Sequence, residues 1–229
     1  MKLRYIIKFA LAAIIAASCS KMNDNIDQYL SQGEIIYIAK ADSVHLFAGK
    51  ERFKMEFWMR DPRASEMRIY WSQKSDSLVV PISADRDFDE PITVIADTNV
   101  PEGQYSLNLV TFDKLGNKSV IDEQNVSVYG NLFQQSLFNR YVDSFSLNAA
   151  AGTATINWGN CYSSKEFSIN VSYTDRQGNV QESVFLTSEL GPSSVLTNVD
   201  VTREISYTTV YLPEETAIDM FYTPTVVLK

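Results

Sequence analysis

Histidine and cysteine are nearly missing: the chain holds one histidine, His45, and two cysteines, Cys19 and Cys161. Catalytic triads and histidine-rich metal sites have no second partner for His45, which lies in the strand-like stretch DSVHLF. Glycoside hydrolysis by two carboxylates needs no histidine, but the acids here fall in turns and on polar strand faces, and nothing marks out a pair. The chain therefore reads as non-enzymatic, with no catalytic residue and no cofactor. Basic charge is also short. Lysine and arginine number 20 against 28 acids, a formal charge of −8, which disfavours nucleic acid and anionic lipid headgroups as partners. After residue 18 no apolar run approaches the ~20 residues that cross a bilayer.

The positive features begin at the N-terminus. Lys2, Arg4 and Lys8 accompany the apolar stretch Phe9–Ala17, which has the length of a secretory signal core. Ala16, Ala17 and Ser18 are small, and Cys19 follows at once. This resembles the bacterial lipobox, in which the cysteine is lipidated and becomes the first mature residue; Ala16 stands where that pattern prefers leucine. The competing reading is a secreted protein cleaved near Ala17 with an incidental cysteine. Residues 1–18 are read as a lipoprotein signal peptide, and residues 19–32 as the lipidated Cys19 and a polar, flexible tether. Loss of the signal takes three cations with it, and the formal charge goes from −8 to −11. Cys161, in GNCYSS, is then without a disulfide partner and is expected to be a small buried hydrophobe.

From Gly33 onward the pattern is β. In RFKMEFWM, Phe53, Met55, Phe57 and Met59 alternate with Lys54, Glu56, Trp58 and Arg60, the period of a half-buried strand. MRIYW places Met67, Ile69 and Trp71 on one side. QYSLNLVTFD does the same with Tyr105, Leu107 and Leu109, before a Gly-Asn turn in DKLGNK. The pattern then restarts. ATINWG sets Ala154, Ile156 and Trp158 on one face, EFSINVSYT sets Phe167, Ile169, Val171 and Tyr173, and REISYTTVYL sets Ile205, Tyr207, Thr209 and Tyr211. The copies overlay in order: KMEFW on ATINW, MRIYWS on INVSYT, QYSLNLVTF on EISYTTVYL. Two tandem antiparallel β-sandwiches of fibronectin type III or immunoglobulin-like type are expected, over residues 33–130 and 131–229. Tyr105, after VPEG, sits where such domains keep a tyrosine corner.

The overlay equates Trp158 with Phe57, which turns Trp58 to the polar face. Tyr70 alternates away from Ile69 and Trp71. If their strands are neighbours in one sheet, Trp58 and Tyr70 share an outer face on which a sugar ring can stack; otherwise each packs on a loop, the tether or the next domain. In SADRDFDEP the alternation of Asp85, Asp87 and Asp89 suggests calcium, but Glu90 and Ala96 stand where an EF-hand needs Gly and Glu. A looser calcium site or a solvated loop remains. Ser43 in DSV and Ser77 in DSL fit a three-residue O-glycosylation motif of exported bacterial proteins.

The stretches GEIIYIAKADSVHLFAGKERFKMEFW, DPRASEMRIYWSQKSDSLVVPI, GQYSLNLVTFDKLGNKS, VYGNLFQQSLFNR and YLPEETAIDMFYT resemble the Bacteroidota lipoprotein family called domain of unknown function 4998, over roughly residues 19 to 225. Members are surface or periplasmic lipoproteins, often found among polysaccharide-utilisation genes, so the resemblance implies a lipoprotein anchored in the outer membrane, at the cell surface or on the periplasmic face. Some members carry a further carbohydrate-binding module after this region. None is seen before Lys229, so glycan recognition is expected from the sandwiches themselves. The implied partners are the membrane through the N-terminal lipid, a polysaccharide, and outer-membrane glycan-uptake proteins. The alternative is a structural or adhesive scaffold that binds another envelope protein.

Overall fold

The computed structural model describes residues 36–229. The signal peptide, Cys19 and the tether lie outside the described residues. Beyond Ile36 the chain forms antiparallel β-structure arranged as two sandwiches of the same topology. In the first, β1 (Ser43–Ala48), β2 (Phe53–Trp58) and β5 (Ile92–Ala96) form a sheet ordered β1-β2-β5. Against it lie β3 (Ala64–Trp71), β4 (Asp76–Pro81), β6 (Gly103–Asp113) and β7 (Asp122–Val128), ordered β4-β3-β6-β7. A short helix, α1 (Asn131–Gln135), leads into the second copy. There β8 (Val142–Asn148), β9 (Thr153–Trp158) and β12 (Ser193–Leu196) make the small sheet. The larger one is built from β10 (Glu166–Thr174), β11 (Val180–Leu186) and β13 (Ile205–Tyr211), closed by two short segments on β13, β14 (Phe221–Tyr222) and β15 (Val226–Val227).

The alternation that defines the strands also fills the cores. Phe53, Met55 and Phe57 of β2 are fully buried against Met67 and Ile69 of β3 and Leu107 of β6. In the second copy Ala154, Ile156 and Trp158 meet Ile169, Val171, Ile205 and Tyr207. The Trp158 indole stands edge-on to Tyr207 at 5.5 Å, and its Nε1–H donates to the Ser194 hydroxyl at 2.9 Å, which satisfies the one polar atom of a buried ring.

Phe167 departs from the alternation. Its ring is 38% exposed, while Glu166 and Ser168 on either side are buried. The register of β10 against β13 shifts between Glu166 and Ser168. A bulge inserts one unpaired residue and exchanges the two faces from that point on. Ile169 and Val171, beyond the bulge, are buried as expected.

Tyr105 forms the tyrosine corner: its hydroxyl donates to the Pro101 carbonyl at 2.6 Å and ties the crossing between sheets. Tyr105→Phe removes that bond alone and is expected to cost about 1 kcal/mol in urea denaturation. An unchanged midpoint would show the bond to be idle.

One turn is used twice. Asp113 Oδ1 accepts the N–H groups of Leu115 and Asn117 at 2.9 and 2.8 Å, and Asp175 Oδ1 those of Gln177 and Asn179 at 3.0 and 2.8 Å. Gly116 and Gly178 hold φ of +87° and +90°, a region open to glycine at little cost. The Asn117 side chain holds the Asp113 carboxyl below its usual range, and the Asn179 backbone N–H does the same for Asp175.

The two sandwiches are joined by specific contacts. Arg52, just before β2, donates through Nε and Nη2 to both carboxylate oxygens of Asp219, at 2.9 and 2.6 Å. The Lys50 N–H donates to Asp219 at 2.8 Å, and the Ile218 N–H to the Ala48 carbonyl at 2.8 Å. Phe133 of α1 lies edge-on to Phe221 at 5.0 Å and tilted against Tyr129 at 4.9 Å. The Glu102 carboxylate accepts the N–H groups of Leu132 and Phe133, fixing the first turn of α1 to the first sandwich. At Gly49 a Cβ would come within 2.8 Å of Asp219, so the junction closes only over glycine.

Candidate functional site

The sequence candidates are dispersed. β2 and β3 belong to opposing sheets, so Trp58 and Tyr70 form no common platform. Each is half-buried on its own face. The Trp58 Nε1–H donates to the Asp89 carbonyl at 3.0 Å, and its ring stands edge-on to His45 at 5.4 Å; it holds a loop. In that loop Asp85, Asp87 and Asp89 are exposed, and among the described residues no three metal-ligating side chains come together. Arg86, between them, turns its guanidinium to the carbonyls of Met59 and Ser83, at 2.8 and 2.9 Å, and of Asp61. The loop is fastened by a cation of its own. Ser43 and Ser77 are both exposed, on β1 and β4. Cys161 is exposed rather than buried, because its loop projects past the end of β9. Cys19 lies outside the described residues.

A different set of residues converges beside the junction. The segment Phe138–Tyr141 runs from α1 to β8 and is fixed to β13 and to Thr223, just past β14. Asn139 Oδ1 accepts from the Thr223 hydroxyl at 2.6 Å and the Thr209 N–H at 3.1 Å, and the Arg140 N–H donates to the Thr209 hydroxyl at 2.8 Å. Tyr207 and Tyr211 donate their hydroxyls to the carbonyls of Arg140 and Phe138, each at 2.7 Å. Thr209 is fully buried, and this network explains why a threonine sits on the apolar face of β13. Burial, with Glu166 acting in the same sense, pushes the Tyr211 phenol up to about 12, so it stays a donor.

Between this segment and the β9–β10 loop opens a cleft of about 520 Å³. Its polar floor is an ion pair: Arg140 Nη1 lies 2.9 Å from Glu166 Oε1, with side chains 11% and 2% exposed. Arg140 Nε–H also donates to the Gly159 carbonyl at 2.8 Å, and Thr187 donates to Glu166 at 3.0 Å. The rim is aromatic and open to water: Phe138 is 78% exposed, Tyr141 63% and Tyr162 86%. Lys165 closes one side, its Nζ over the rings of Tyr129 and Phe133 at 5.0 and 5.2 Å. The bulge at Phe167 is what turns Glu166 inward to this floor. Strand periodicity offers no sign of the rim. The available signal was aromatic residues in two loops, NLFQQSLFNRY and NCYSS, where no strand face accounts for them.

A three-stranded sheet stacked on a larger one, of four strands in the first copy and of three plus the two short segments β14 and β15 in the second, makes this a tandem fibronectin type III-type protein. Within that class the chain belongs to the family DUF4998, a domain of unknown function, whose model matches residues 19–221. Similar solved structures include the FN1-FN3 domains of chicken CNTN1, at 10% identity and TM-score 0.43, over 84% of this chain and 64% of that one. A two-domain fibronectin type III segment of chicken tenascin has 13% identity and TM-score 0.33, over 82% of this chain and 97% of that one. The chain thus spans just under two thirds of the CNTN1 fragment. No protein of curated function matches it.

Proposed function

We propose that this is a non-enzymatic lipoprotein of the bacterial cell envelope, anchored to the outer membrane through Cys19, that binds a glycan through the cleft between Phe138 and Tyr162 and serves a polysaccharide-uptake assembly. The observation that supports this is the composition of the cleft. Exposed aromatic faces rim it, amide and hydroxyl groups line it, and the buried charges of its floor neutralise each other. Sugars are bound by such a combination, stacking on rings and exchanging hydrogen bonds with planar polar groups. Glu166 is committed to Arg140 and Thr187, which leaves it poorly placed to act as an acid or base. The Trp58 ring, fastened to the Asp89 loop, is not assigned to the glycan.

Affinity electrophoresis against a polysaccharide panel tests this reading. The protein is expected to be retarded by at least one polysaccharide, and Tyr162→Ala or Phe138→Ala to weaken that retardation about 3- to 10-fold, the worth of one stacked aromatic. Trp58→Ala should behave as the parent. Retardation that survives both cleft substitutions would place the glycan elsewhere, and no retardation at all would favour the scaffold reading. That second reading has its own support in the bonded junction at Asp219, since two sandwiches held at a fixed angle suit a spacer or adhesive arm.

A further inference from the structure

The end of the first sandwich opposite the junction gathers apolar side chains in water. Leu115, at the tip of the hairpin between β6 and β7, is 89% exposed, and Val120 and Ile121 on the descending arm are 57% and 56% exposed. Ile36 and Tyr37 are about half exposed and belong to the same end, because Tyr37 pairs with Lys118 in a parallel bridge. The incoming segment is held there by the Ala39 N–H on Asp61 at 3.0 Å and by Lys40 on Asp122 at 2.7 Å. The hairpin is stiff, since Asp113 binds the N–H groups of Leu115 and Asn117 and the Asn117 amide. Leu115 is therefore presented by a fixed turn. Lys114 and Lys118 are exposed on either side of it, a local cationic exception on an acidic chain.

The direction of the chain says what covers this patch. Residues 20–35 connect Ile36 to Cys19, and even fully extended they reach no more than about 60 Å. Resting on the reading that Cys19 carries lipid, we propose that this end of the first sandwich lies on the bilayer, with Leu115 and Ile121 in the interface and Lys114 and Lys118 at anionic headgroups. An amphipathic, basic patch suits that boundary. The contact can be weak, because the anchor makes it intramolecular and supplies a high effective concentration. The same contact positions the cleft. β6 runs from the junction to this tip over 11 residues, about 35 Å, so the second sandwich is held one strand length out from the membrane.

The test uses the full lipidated chain, in a Cys161→Ser background that removes the other exposed thiol. A fluorophore is placed by Leu115→Cys or, as the distal reference, by Tyr162→Cys. Each protein is reconstituted into phosphatidylethanolamine–phosphatidylglycerol vesicles that carry a lipid-bound quencher. Quenching at position 115 is expected to exceed that at 162 at least 3-fold, and Lys114→Glu with Lys118→Glu to reduce it. Equal quenching at the two positions in protein that is acylated and floats with the vesicles would overturn the contact alone. A chain without acyl groups that fails to float would overturn the anchor reading and the contact with it.

Discussion

Arg140→Ala is expected to lower the unfolding free energy of the second sandwich by about 3–5 kcal/mol, with no comparable change in the first. Arg140 and Glu166 face each other at 2.9 Å, and water reaches little of either side chain. Removal of the guanidinium leaves a carboxylate that only Thr187 serves, on a side chain that is 2% exposed. That uncompensated charge, rather than the worth of the pair, sets the size of the effect. The double substitution Arg140→Met with Glu166→Leu should recover much of the loss, because it removes both desolvated charges and keeps the volume. Urea denaturation followed by tryptophan fluorescence in a Trp58→Phe, Trp71→Phe background reads the second sandwich through Trp158, and a loss below about 1 kcal/mol in Arg140→Ala would mean that the floor of the cleft is wet. Glycan binding should fall with it, since the rim residues Phe138 and Tyr141 flank Arg140 in the same segment.

The other large effect concerns the junction. Asp219→Ala is expected to cost about 2 kcal/mol of coupling between the sandwiches, the range of charge-assisted hydrogen bonds, and to broaden the distribution of inter-domain angles in small-angle scattering. Arg52 donates to both oxygens, and the Lys50 N–H also donates to this carboxylate. Acid should reproduce the effect in the parent. The hydrogen bond from Arg52 holds the Asp219 carboxyl below its usual range. A depressed folded value means that the stabilisation is complete above the unfolded carboxylate value, near 4, and is lost as pH falls through the folded one. The junction should therefore be tight at neutral pH and loosen below about 4, and Asp219→Ala should lose that pH dependence. A parent profile as flat as the variant's, from about pH 7 to 3, would remove Asp219 from the role.

Period-2 alternation located most core residues because it is a local property: whether Phe57 or Trp58 faces inward depends on the pleat of one strand. The internal overlay of the two copies worked for the same reason, and it assigned Trp158 to the core without knowledge of its partner Ser194. Tyr105 was legible because a tyrosine corner is closed within four residues, by Pro101. The shared face of Trp58 and Tyr70 failed because face and sheet are different quantities. Alternation fixes the side of its own strand on which a residue lies; the sheet is fixed by pairing with distant segments, β1 and β5 for β2, and β4 and β6 for β3. Phe167 failed because a bulge at that residue exchanges the faces, and that bulge depends on the register of β10 against β13, some forty residues away.

Strands, duplication, family and charge were all written in the order of the residues, because backbone pleat, turn chemistry and side-chain polarity act over a few residues at a time. Where surfaces meet was settled only by the folded chain. Folding brought Phe138 and Tyr162 to the rim of one cleft, turned Glu166 beneath them to Arg140, and set Asp219 on Arg52 across the junction. The partners in these pairings stand from about two dozen to more than one hundred and sixty residues apart in the chain. They meet only once the sheets have closed, because nothing in the local chemistry of either partner specifies the other.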